Sequence, residues 1–164
     1  MRINRDKLVK IAVNGQVDHP RMKGFRVGYD GKGRMPIGTG GITYSHAIGD
    51  SCMGLAGDHV EPGISLANPS NPENHALETF ACVGNEARII NGPQKGKKGY
   101  VSGTHGGIDH TMICFDKKIL EEMDGNETIL VKAYGQGLKL LDHEDIYVMN
   151  IDPDLWEAIP IEET

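Results

Sequence analysis

Glycine placement constrains this chain more than any other feature. Twenty-two glycines in 164 residues fall between short apolar runs, most of them in turn-forming contexts. Interior glycine weakens a helix and suits turns, bulges and close backbone approaches. The chain therefore reads as short strands joined by tight turns. The densest stretch is residues 40–68, G-G-I-T-Y-S-H-A-I-G-D-S-C-M-G-L-A-G-D-H-V-E-P-G-I-S-L-A-N. It is too broken by glycine for a helix and too polar for a plain core strand. It packs Asp50, Cys52, Asp58, His59 and Glu61 into twelve positions, with His46 just upstream.

The remaining segments point the same way. Residues 8–13 (L-V-K-I-A-V) read as a strand ended by Asn14-Gly15, a strong hairpin signal between apolar runs. Phe25, Val27 and Tyr29 alternate, as on a strand with one buried face. G-T-G-G at residues 38–41 lacks the spacing of a dinucleotide fingerprint. Two prolines and three asparagines at residues 68–75 predict an irregular surface loop and a module boundary. Further strands are expected at residues 80–83, 87–90, 111–115, 127–134 and 146–150. A helix is expected over residues 117–123, closed by Asp124-Gly125, and another starts at Asp152-Pro153. The expected fold is mainly β: a β-sandwich-like module over residues 1–77, a small SH3-like barrel module over residues 78–150, and few short helices. A short helix and tail over residues 151–164 reads as a linker.

Two resemblances sharpen this. Residues 84–103, G-N-E-A-R-I-I-N-G-P-Q-K-G-K-K-G-Y-V-S-G, resemble a KOW motif, the strand–loop–strand piece of SH3-like barrels in ribosomal and transcription proteins. A-G-D-H-V-E-P-G, followed by N-G-P-Q-K-G-K-K-G-Y-V-S-G-T-H-G-G-I-D-H, resembles the prokaryotic family labelled domain of unknown function 4438 over nearly the whole chain. That resemblance implies a mostly-β fold with a barrel-like insertion. It also implies a longer protein, so a missing C-terminal half or a second subunit is an expected partner, and a homo-oligomer is a further one. It implies no activity.

A net charge of −6 offers no general attraction to nucleic acid or anionic membranes. The basic turn with Arg88, Lys95, Lys97 and Lys98 is a local exception, but no aromatic ladder interleaves with it. No apolar run approaches the ~18 residues of a membrane span. Three separated cysteines without a C-x-x-C pair, and an N-terminus without a signal-peptide pattern, suit a reducing cytoplasm. Cys82 and Cys114 lie in apolar runs and read as core.

Two clusters carry candidate chemistry. In the first, Asp50, Asp58, His59 and Glu61 combine carboxylates with imidazole, a donor set for a divalent metal such as Zn, Mn or Fe. Strand alternation puts His59 and Glu61 on one face, where Glu61 can ligate an ion or orient an imidazole. The competing structural reading is a turn capped by Asp58 with Glu61 in solvent. The second cluster is T-H-G-G-I-D-H, in which His105 and His110 flank a Gly-Gly turn beside Asp109. A hairpin tip can bring these imidazoles together as acid–base groups near neutral pH. The expected function is a metal-assisted hydrolase or lyase acting on a small polar metabolite through Asp58, His59, Glu61, His105 and His110. The alternative is a non-catalytic module binding RNA or protein through the SH3-like barrel.

Overall fold

The computed structural model describes residues 1–21, 24, 26–34, 40–44, 61–106 and 109–160. Its strands are β1 (Lys10–Val17), β2 (Arg26–Val27), β3 (Gly33–Arg34), β4 (Ile42–Thr43), β5 (Gly63–Ala67), β6 (Glu86–Ile89), β7 (Lys98–His105), β8 (His110–Cys114) and β9 (Thr128–Tyr134). Its helices are α1 (Asn71–Phe80), α2 (Lys117–Glu121) and α3 (Pro153–Ala158). As the alternating runs and turn residues predict, the chain is mainly β with few short helices.

Six strands close on themselves. β1 pairs with β9, then the order runs β6, β7, β8 and β5, and β5 returns to β1. Every pairing is antiparallel, so neighbouring strands satisfy one another's backbone groups. β4 adds to β5, and β2 with β3 form a separate ribbon. Strands from before residue 77 and from after it share this barrel.

Side-chain alternation fills it. Val131 lies opposite both Val13 and Ala87, and Ile113 lies opposite both Ile64 and Val101. All six are buried in one core with Leu66, Ile89, Ile129 and Leu77. A smaller cluster of Leu8, Leu138 and Leu140 packs with Ile3, Tyr134, Ile151 and Trp156.

The Asn14-Gly15 hairpin expected from the sequence does not form, because β1 runs straight through it. A Cβ on Gly15 would stand 2.8 Å from Leu66 Cγ and 3.0 Å from Leu77 Cδ2. The glycine is there because β5 and α1 both approach the β1 backbone closely at this point. Residues 68–75 are likewise not wholly loop. α1 starts at Asn71, with Ser70 extended at its N-cap and proline in its first turn. Residues 80–83 end that helix and make one isolated bridge, Val83 to Ile151. Residues 146–150 form no strand: Val148 packs on the smaller cluster while Tyr147 and Met149 stand 88% and 83% exposed, and no strand among the described residues pairs with the segment.

The expected α3 start is present. The Asp152 carboxylate accepts from Asp154 N at 2.7 Å and Leu155 N at 3.3 Å. Cys82 is buried as expected, and burial together with Asp152 pushes its thiol up to about 11. Cys114 is exposed, on the outer face of β8 opposite the buried Ile113. Among the described residues, the basic turn is tied down by ion pairs to Glu86. Glu86 accepts from Lys98 and Lys132, both at 2.7 Å, and from Arg88 at 3.3 Å. Hydrogen bonds from Lys132 and Lys98 hold its carboxyl at about 2. These are half-exposed pairs, so Lys98→Ala is expected to cost less than about 1 kcal/mol in a urea-midpoint measurement.

Candidate functional site

The outer face of β5 and the β7–β8 hairpin carry a buried polar cluster. Ile64 and Leu66 point into the core, so alternation turns Ser65 outward. Glu61, four residues before Ser65, shares that face, and the Ser65 hydroxyl donates to Glu61 Oε2. His105 and His110 are cross-strand partners at the hairpin tip, where Asp109 takes a positive φ of 62°. Both imidazoles meet the same carboxylate. His105 Nδ1 lies 2.5 Å from Glu61 Oε1, and His110 Nδ1 lies 2.9 Å from Oε2 and 3.0 Å from Oε1.

The other side of His110 is also taken. Its Nε2 lies 2.9 Å from Asp18 Oδ2, just past the end of β1. Asp18 Oδ1 accepts from Arg21 at 2.8 Å. Backbone bonds fix this corner: Asp18 N donates to Ser65 O at 2.9 Å, Ser65 N to Gly41 O at 3.0 Å, and Gly41 N to Asp18 O at 2.6 Å. From above, Asn74 of α1 donates to the Asp109 carbonyl at 2.9 Å and accepts from Asn68 N at 2.7 Å. The helix thus braces the hairpin that carries both histidines.

Charge follows from this geometry. The side chains of Glu61 and His110 are only 5% and 3% exposed. Burial alone would push the Glu61 carboxyl up, but hydrogen bonds from His110, Ser65 and His105 outweigh it and hold the group at about 2. The hydrogen bond to Glu61 raises the His110 pKa, burial opposes this, and Asp18 adds to the rise. With a carboxylate oxygen on each ring nitrogen, His110 donates from both and is an imidazolium. His105 sits at the edge of the cluster with 26% of its side chain exposed. When neutral, an imidazole donating from Nδ1 carries its lone pair on Nε2.

Of the residues singled out from the sequence, Glu61, His105 and His110 are brought together. Glu61 is buried rather than solvated. Asp50, Asp58 and His59, with Cys52 and His46, lie outside the described residues. Among the described residues, no group of three or more His, Cys, Asp or Glu side chains is arranged to hold a metal ion. Sequence reasoning missed Ser65 and Asp18. Ser65 was detectable as the one polar position in an apolar run, four residues after Glu61 and in phase with it. Asp18 had no local signal, because its partner lies 92 residues away.

The chain is a closed antiparallel barrel domain that carries a histidine–carboxylate cluster on its outer face. The chain belongs to the family described as Domain of unknown function (DUF4438), N-terminal, whose model matches residues 25–157. It is also similar to a solved protein, in the crystal structure of TM1086, at 45% identity and a TM-score of 0.88. That match covers 100% of this chain and 58% of the other, so this chain spans somewhat more than half of that relative's length. No curated protein matches the chain. No helix among the described residues is long and apolar enough to cross a membrane.

Proposed function

We propose that the Glu61 cluster is the acid–base centre of a hydrolase or lyase acting on a small polar metabolite. One observation carries this reading: two imidazoles share one buried carboxylate, and one of them keeps an edge toward solvent. In it, His105 transfers the proton. Glu61 is a positioning residue that fixes the His105 tautomer and ring plane. His110, Asp18 and Ser65 position Glu61 in turn. The Glu61 oxygens are engaged by Ser65, His105 and His110, which favours an orienting role for Glu61 over metal ligation. A divalent ion held by Asp50, Asp58 and His59 is the metal-assisted form of the same proposal.

The test is a turnover screen of ester, amide and C–O cleavage substrates, run beside metal analysis of untagged protein. His105→Gln is expected to lower kcat by about 10²–10⁴-fold with KM little changed. Turnover that survives His105→Gln unchanged removes the acid–base assignment. A stoichiometric metal lost on His59→Ala selects the metal-assisted form.

A second reading, an assembly domain, is favoured by the exposed Tyr147 and Met149 and by the greater length of the TM1086 chain. Elution at the monomer mass that Tyr147→Glu does not change would count against it.

A further inference from the structure

We infer that the cleft on the far side of Asp18 is the ligand site, and that it takes an uncharged, polyhydroxylated molecule of about sugar size. The inference rests on the acid–base reading only for what happens to the ligand afterwards. The cleft encloses about 530 Å³, within the size range of small-molecule sites. Its lining is polar, with Asp18, His19, Gln16, Asn68, Asn71 and Thr128 among its residues.

The charges around the cleft are already balanced. Asp18 is met by the His110 imidazolium on one oxygen and by Arg21 on the other. Arg21, which also lines the cleft, is thereby engaged. Asp109 adds a carboxylate to the wall. An anionic ligand would meet that carboxylate with the nearest guanidinium already paired. A cationic ligand would find Asp18 already neutralised and, among the described residues, Asp109 as its single carboxylate partner. Beside the His19 imidazole, what remains is amide and hydroxyl chemistry. Among the described residues, the side chains of Gln16, Asn71 and Thr128 make no hydrogen bond to the protein. A carboxamide offers both a donor and an acceptor, matching a hydroxyl that gives one hydrogen bond and takes another. Several such groups around one cleft suit vicinal hydroxyls.

The placement also connects recognition to the cluster. Asp18 is at once a wall of the cleft and the partner of His110, and His110 holds Glu61. A hydroxyl hydrogen-bonded to Asp18 would therefore sit one imidazole and one carboxylate away from His105.

Saturation-transfer NMR with D-ribose, D-glucose and myo-inositol, beside glucose 6-phosphate and citrate, tests this. At least one neutral polyol is expected to bind, more tightly than either anion. Gln16→Ala and Asn71→Ala should each weaken it by about tenfold, a loss of about 1.4 kcal/mol. Lys98→Ala, outside both the cleft and the Glu61 cluster, should leave binding unchanged. Tighter binding of an anion, no polyol binding, or binding indifferent to both cleft variants overturns the inference. The two proposals fail separately. Cleft binding with turnover untouched by His105→Gln sinks the proton-transfer reading alone. Turnover that needs His105 but ignores the cleft variants sinks the ligand site alone.

Discussion

Glu61→Ala is expected to lower folding stability by about 3–5 kcal/mol near neutral pH, because it removes one partner of a buried ion pair and leaves the His110 charge uncompensated on that side. The pH dependence should change in a defined way. Glu61 is held at about 2, below its ordinary 4.5. Its contribution is therefore present above 4.5 and is lost as pH falls toward 2. His110 is shifted upward from 6.5. Its contribution is complete below 6.5 and is lost as pH rises through the raised value. The wild-type protein should be most stable between these limbs, and Glu61→Ala should flatten both. Urea midpoints from about pH 3 to about pH 9 measure this. Glu61→Gln, which keeps the shape and loses the charge, separates the electrostatic part from packing. Parallel curves for wild type and both variants would contradict the charged assignment of the cluster.

Much of the barrel was legible because its strands alternate cleanly. Ile129, Val131 and Ala133 mark the inner face of β9, and all three are buried. The meeting of His105 and His110 was also legible, since a short glycine turn between two strands makes its flanks cross-strand neighbours. What failed had non-local causes. Asn14-Gly15 carries the local signature of a turn, but its glycine answers to Leu66 and Leu77, which arrive from elsewhere in the chain. α1 was hidden because its first turn is built from asparagine and proline, residues that a helix start shares with a loop. Its buried side chains, Asn74 and Leu77, are too few to mark a period. The sequence alone pairs Glu61 with His59 and offers His105 and His110 only the neighbouring Asp109. The barrel instead delivers Glu61 to the hairpin tip, through the pairing of β5 with β8. Closure of the barrel, and not proximity in sequence, assembles the cluster.

That dependence gives the second large expected effect. Gly63 opens β5 with φ of +76°, and a Cβ there would lie 2.3 Å from the Ile113 carbonyl oxygen. That oxygen belongs to the strand against which β5 pairs, with Ile64 opposite Ile113 and Ser65 opposite Met112. Alanine at this position must strain the backbone and push β5 away from β8 at once. The expected cost is about 2–5 kcal/mol. Because Glu61 lies two residues upstream, the same displacement should draw its carboxylate off the imidazoles and return the His110 titration, followed by NMR, toward the ordinary imidazole range. Gly96→Ala is the control. It has a similar φ of +89° but no atom within 4 Å of its Cβ position, so only backbone strain of about 1–2 kcal/mol applies. If Gly63→Ala cost no more than Gly96→Ala and left the His110 titration in place, the β5–β8 contact would not be what sets the geometry of the cluster.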